Sequence, residues 1–234
     1  MKVYCVKYDA FAGKWIYDGY RSAWKELGYE LTDSDFPGSH DEEFIIMTTD
    51  SAVKDFTHVH TIPLAFDSIN YKPTEDSKYN KYDISFVGGW ANNGFDEKKK
   101  IIIDVFTKFM NSELECGFFV NKNLSHYQEC QLLANSKMTL NIHDAYQRTL
   151  GLDTNERTFK SLGLNGLLIS DTVGQLNSLF PEIPTSLQSD DLVQHAKYIL
   201  SLTAVEQDVI REENKQNILQ NHCYINRIEA LLNL

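Results

Sequence analysis

The sequence is short of positive charge, of clustered cysteines and of long apolar runs, and each shortage excludes something. Lys and Arg total 22 against 33 Asp and Glu, a formal net charge of -11. That field repels nucleic acid and anionic membrane at long range, so a polyanion would need a local basic patch, whereas a small diphosphate needs only one such patch. Cys5, Cys116, Cys130 and Cys223 stand far apart with no CxxC pair. This argues against a zinc site and fits reduced thiols in a cytoplasmic protein. No apolar segment approaches the roughly 20 residues that span a bilayer, and the opening MKVYCVKYDAFAGKW reads as a strand rather than a signal peptide. HExxH, GxSxG, GxGxxG and GxxxxGK[ST] patterns are missing, as are repeats and low-complexity tracts. What remains is 42% hydrophobic and 12% aromatic residues in a chain of 234, enough for one large core or two small ones.

The apolar pattern predicts a strand over 2–8 and a helix over 14–27, with Ile16, Tyr20, Ala23, Trp24 and Leu27 on one face. Short apolar runs follow at 44–47 and 59–66, the latter weakened by Pro63. Residues 67–82, DSINYKPTEDSKYNKY, are polar and aperiodic and read as a linker. The pattern then restarts. Strands are predicted at 83–87, 114–120, 137–143 and 167–170, and helices at 98–110, 125–134, from 155, 173–179 and 190–202; a long helical stretch runs over 204–232 and can break near Asn221. Two such blocks predict an α/β fold of two Rossmann-like domains facing across a cleft. The first, residues 1–70, is unusually small; the second covers 80–205, and the helix over about 206–234 is expected to pack back on the first. Ligands of open α/β sheets bind outside the carboxyl ends of the strands, so the residues after each strand are the candidates.

Gly88 and Gly89 follow the strand DISFV and precede Trp90. Glycine there lets backbone approach a ligand; a plain tight turn explains it equally well. Gly13 sits in the corresponding loop of the first block. Asn155-Glu156-Arg157-Thr158 opens a helix whose N-terminus would face the cleft, and the free N–H groups with an arginine fork suit a diphosphate. A solvated helix start with Asn155 or Thr154 as the cap is the plainer alternative. His143 ends a strand on the cleft side, where a structural role competes with a catalytic one. Lys98-Lys99-Lys100 reads as a solvated face, and Asp33-Ser34-Asp35 as a polar loop rather than a metal site.

YDISFVGGW, SKMTLNIH and NERTFKSLGLNGLLISD, in this order, resemble the C-terminal donor domain of the CgeB-type glycosyltransferases, relatives of glycosyltransferase family four. Asn141 and His143 match the LNIH element, Asn155, Arg157 and Phe159 an NxRxF element, and 167–171 the strand after it; PLAFDSINYKP, residues 63–73, is similar to the segment that joins the two domains. The resemblance implies a GT-B transferase moving a hexose from a nucleotide diphosphate sugar such as UDP-glucose, with retention of configuration. No metal or cofactor is implied, and the acceptor is left open among a glycan, a protein and a modified nucleobase. With the places of the residues after strands and at the helix start, the resemblance makes Gly13, Gly88, Gly89, Trp90, Asn141, Asn155, Glu156, Arg157, Thr158 and Lys160 the expected donor-binding residues and His143 the expected catalytic one. Lys160 stands where the family has a glutamate for the ribose hydroxyls, and Asn165 where it has glycine. Glu156, four residues before Lys160, is therefore expected to reach the ribose while Lys160 adds a cation beside Arg157; an exposed i,i+4 pair is the alternative. Lys160 also favours a competing reading, a nucleotide-sugar or carbohydrate-binding protein without turnover. An unrelated two-domain phosphate-ligand sensor is the third.

Overall fold

The computed structural model describes residues 3–4, 13–32, 46–48, 51–53, 55, 59–73, 75–76, 78–89 and 97–233. In its first part β1 (Val3–Tyr4) pairs in parallel with β2 (Leu31–Thr32) through α1 (Gly13–Glu26). The helix buries Tyr20, Ala23 and Trp24 and stops at Gly28, whose φ of +82° is open to glycine at no steric cost. A second parallel pair joins β3 (Ile46–Thr48) to β4 (Val59–Thr61), with a 3-10 turn at Ser51–Val53 between them.

The second part holds β5 (Ile84–Gly88), α2 (Glu97–Met110), β6 (Cys116–Val120), α3 (His126–Asn135), β7 (Met138–Asn141), α4 (Ala145–Leu150), α5 (Glu156–Leu164) and β8 (Leu168–Ser170). It continues with α6 (Gly174–Leu179), α7 (Ser189–Ser201), α8 (Ala204–Asn221) and α9 (Tyr224–Leu232). Its four strands form one parallel sheet in the order β6-β5-β7-β8. Parallel strands covered on both faces are apolar throughout rather than alternating; every residue of β7 and β8 is buried, polar Thr139, Asn141 and Ser170 included. One face packs Ile84, Phe86, Leu140 and Ile169 against Ile102, Phe106 and Phe109 of α2 and Leu192, Ala196 and Ile199 of α7. On the other face Val87 and Leu168 meet Leu132 and Leu133 of α3, Phe159 and Leu162 of α5 and Ile218 of α8. Each such buried side chain is worth about 1.5–3 kcal/mol relative to exposure.

Three expectations change. The strand expected over 59–66 ends at Thr61, and Phe66 instead makes an isolated bridge to Cys223. Its N–H donates to the His222 carbonyl (2.8 Å) and its carbonyl accepts from the Tyr224 N–H (3.2 Å). The segment expected as a polar linker is anchored, because Tyr71 and Tyr79 are buried in the core and Asp67 accepts the N–H groups of Ile69 and Asn70. The C-terminal stretch divides after Asn221, one of the two forms the sequence left open, but it does not pack back as a whole. α8 lies on α5, and only α9 returns to α1, burying Tyr224 and Ile228 against Tyr20, Ala23 and Trp24.

Candidate functional site

β5 and β7 are hydrogen-bond partners only at Ile84↔Met138 and Ser85↔Thr139. Beyond that point the two strands part, and chain order reverses between them, β5 leading outward to β6 and β7 to β8. Such a reversal opens a crevice at the carboxyl ends. The Arg157 side chain, from the first turn of α5, enters it. Its Nε donates to the Val87 carbonyl, and its Nη1 donates to Asn141 Oδ1 (3.0 Å) and the Ile142 carbonyl (3.2 Å). The guanidinium thus makes the cross-strand bonds that the ladder no longer makes, and lies 4.7 Å over the Phe86 ring. A Cβ at Gly88 would collide with Nη2, so the glycine at the end of β5 is what admits the arginine. Nη2 itself makes no hydrogen bond among the described residues.

A buried polar chain continues from there. Asn141 Nδ2 donates to Thr158 Oγ1 and Ser170 Oγ, both 3.1 Å. Thr158 and Thr154 hydroxyls are bonded (2.6 Å), and Thr154 Oγ1 meets His143 Nε2 (2.8 Å). The opposite ring nitrogen, Nδ1, faces Asp171 Oδ1 (2.5 Å) and so carries the proton it donates there. Asp171 also accepts the His143 backbone N–H (3.0 Å) and Arg148 Nη1 (3.0 Å). Burial pushes the Asp171 carboxyl up, but His143 and Arg148 outweigh it and hold it below the ordinary range.

Lys98 was set aside in the sequence as part of a solvated run. Its neighbours Lys99 and Lys100 are exposed, but Lys98 is buried on the first turn of α2 and ion-paired with Asp144, the residue before α4. Burial lowers its pKa, the nearby Arg157 charge lowers it further, and Asp144 opposes both. Arg157, Lys98 and Arg148 therefore gather at the carboxyl ends of the sheet. The first part of the chain reaches the same region, where the Ser51 N–H donates to Asp153 (2.8 Å).

The remaining candidates have partners of their own. Lys160 does not form the exposed pair that was the alternative. It is buried, its Nζ 2.7 Å from Glu129 of α3 and 3.5 Å from Glu156. Glu156 is buried with it. Desolvation raises its pKa to about 7 against the pull of Lys160. An interior anion at 129 thus takes up the charge reversal at 160. The Asn165 departure has a similar account. Its side chain donates to the carbonyls of Leu133 (2.8 Å) and Ser136 (2.6 Å) and accepts from Arg211 (2.6 Å), while the next residue, Gly166, takes the left-handed φ of +84°. His143, expected to line an open cleft, is fully buried, because both ring nitrogens are drawn into the polar chain. Asn155 caps α5, accepting the Thr158 N–H (3.3 Å). Gly89 follows β5 half-buried, Gly13 opens α1, and Trp90 lies outside the described residues. Glu129 carried no sequence signal, since a lone glutamate on a helix looks solvated.

Among the described residues no helix is long and apolar enough to cross a membrane. Residues 81–233 match a family model described as glycosyl transferase-like. A comparison with curated proteins returned no match.

Proposed function

The chain belongs to the glycosyl transferase-like family, and on that premise we propose that it moves a hexose from a nucleotide diphosphate donor such as UDP-glucose to an acceptor hydroxyl. The donor diphosphate lies at the split between β5 and β7. The observation that carries this reading is the Arg157 guanidinium, fixed across the split on three oxygens with Nη2 unbonded among the described residues. In transfer the acceptor oxygen bonds to the anomeric carbon as the carbon–oxygen bond to the diphosphate breaks. The bonding pair leaves with the diphosphate, and the acceptor's proton passes to solvent. Negative charge therefore grows on the leaving oxygen, where a held guanidinium and the Lys98 ammonium, exchanging Asp144 for phosphate, stabilise it without a metal. His143 acts as a positioning residue: bonded to Asp171 and Thr154, it fixes the segment between β7 and α5. The sequence resemblance to the CgeB-type enzymes supports retention of configuration and the GT-B arrangement, with residues 1–70 opposite a donor domain of 80–205.

Calorimetric titration with UDP and detection of UDP released from UDP-sugars, each with and without EDTA, test the reading. Micromolar UDP binding and slow release in both conditions are expected. Absence of UDP binding, or its loss in EDTA, overturns it. A second reading, donor binding without turnover, rests on one observation: Lys160 is tied to Glu129 in the interior, so the carboxylate expected for the ribose is not supplied from position 160. UDP binding with no release from any UDP-sugar, acceptors included, selects it.

A further inference from the structure

A cleft of about 450 Å³ lies between α1 and the second part of the chain, lined by Asp18, Arg21, Ser22, Lys25, Asn70 and His126. That volume is within the range of small-molecule sites, about 300–1,000 Å³. Asp18, Ser22 and Lys25 recur at helical spacing and form one wall. The opposite wall is fixed by short-range bonds. Asn70 Nδ2 donates to Ser22 Oγ across the cleft (2.9 Å) and to Asp67 Oδ2 (2.7 Å). His126, the first residue of α3, stacks on Trp15 with ring centroids 3.6 Å apart and leans on Tyr71 at 5.0 Å. Burial and the charge of Lys160 lower the His126 pKa, favouring a neutral ring. Because α3 follows β6, His126 stands on the carboxyl side of the sheet, the side on which Arg157 closes the split.

The lining has a definite chemical character. It combines one carboxylate, two cations, an amide, a hydroxyl and the His126 ring, which Trp15 and Tyr71 contact. A phosphate would face the Asp18 carboxylate as well as the two cations, and an aliphatic ligand would leave the polar groups without partners. Sugar hydroxyls each donate and accept, so a ring carrying several of them can bond Asp18, Ser22, Lys25 and Asn70 together. We propose that this cleft is the acceptor site and that the acceptor presents a neutral saccharide ring to it. The inference rests on the transferase reading above, which places the donor at the neighbouring strand ends.

The test titrates the full chain separately with maltose, N-acetylglucosamine, inorganic phosphate and UDP, observing the Trp15 indole and His126 ring resonances and the heat of binding. Maltose or N-acetylglucosamine should saturate and shift both resonances, and Asp18→Ala and Lys25→Ala should each weaken that binding roughly tenfold with UDP affinity and melting temperature unchanged. Both side chains are at least partly exposed, so loss of fold is not the expected cause of any change. UDP binding without any saccharide shift overturns the acceptor site and leaves the transferase reading standing. Shifts from phosphate alone overturn the saccharide assignment. Saccharide binding with no UDP binding removes the transferase premise, and the acceptor role with it.

Discussion

The guanidinium of Arg157 fills the space in which a side chain on Gly88 would begin, so the glycine and the arginine, on different elements, form one device. Gly88→Ala forces Nη2 away while Nε and Nη1 remain held on Val87, Asn141 and Ile142. A loss of about 1–3 kcal/mol in denaturant titration is expected, together with weaker UDP binding by calorimetry. A variant equal to the wild type in both would show that the guanidinium yields freely and that the fit has no consequence.

Lys98→Met keeps the aliphatic stem and removes the ammonium. Asp144 is partly exposed and remains solvated when unpaired, so stability should change by less than about 1 kcal/mol. UDP affinity should fall by about 1.5–3 kcal/mol, on the order of ten- to a hundredfold, the worth of a bond to a charged group. Melting with and without UDP checks both halves of the expectation.

Lys160→Glu restores the residue of the resembling family but sets a third carboxylate among Glu129 and Glu156. Removing the cation of a buried pair costs about 3–5 kcal/mol, so the variant should be strongly destabilised. Adding Glu129→Lys returns the balance of charge, and the double variant should recover more than about 1 kcal/mol relative to additivity. A double variant no better than the sum of its parts would mean that the pair is uncoupled.

Glu156 links stability to pH in a definite direction. Its folded pKa, about 7, lies above its ordinary value of 4.5. Between these two values the folded state holds more proton than the unfolded one, so this group's contribution falls as pH rises through the window. Glu156→Gln removes that term. The variant should gain on the wild type by about 2–3 kcal/mol between pH 5 and pH 8. His222, held down to about 4 chiefly by burial and then by Arg227, acts in the opposite sense below its ordinary value. Only the difference between the two proteins isolates Glu156, and a difference independent of pH would refute the linkage.

Much of the second part of the chain was legible because strands covered on both faces are written as apolar runs, and Ile84–Gly88 and Met138–Asn141 stand out as such. The helix at Ala145–Leu150 was hidden inside a segment whose polarity reads as loop. His143 was marked by its place at a strand end, Arg157 by the helix start and the family resemblance and Asn141 by the resemblance, but not the closure of the split by an arginine, which depends on where two strands cease to pair. Lys98 and Glu129 were invisible for one reason. A buried charge differs from a solvated one only through its partner, and those partners lie 46 and 31 residues away. Periodicity carries no information about such pairs.

The hydrogen bonds that clamp Phe66 to His222 and Tyr224 also set a timetable for synthesis. Arg227 donates to the Pro63 and Leu64 carbonyls (3.0 and 3.2 Å) across 164 and 163 residues of chain, and the apolar face of α1 is covered by Tyr224 and Ile228. A ribosome delivers α1 long before its covering helix α9, so α1 emerges without the surface it packs on and must wait while the four-stranded sheet assembles. Contacts of such long sequence separation form late. Chains arrested after Asn221 should therefore expose α1 to protease while the sheet is already protected, and full-length chains should protect both.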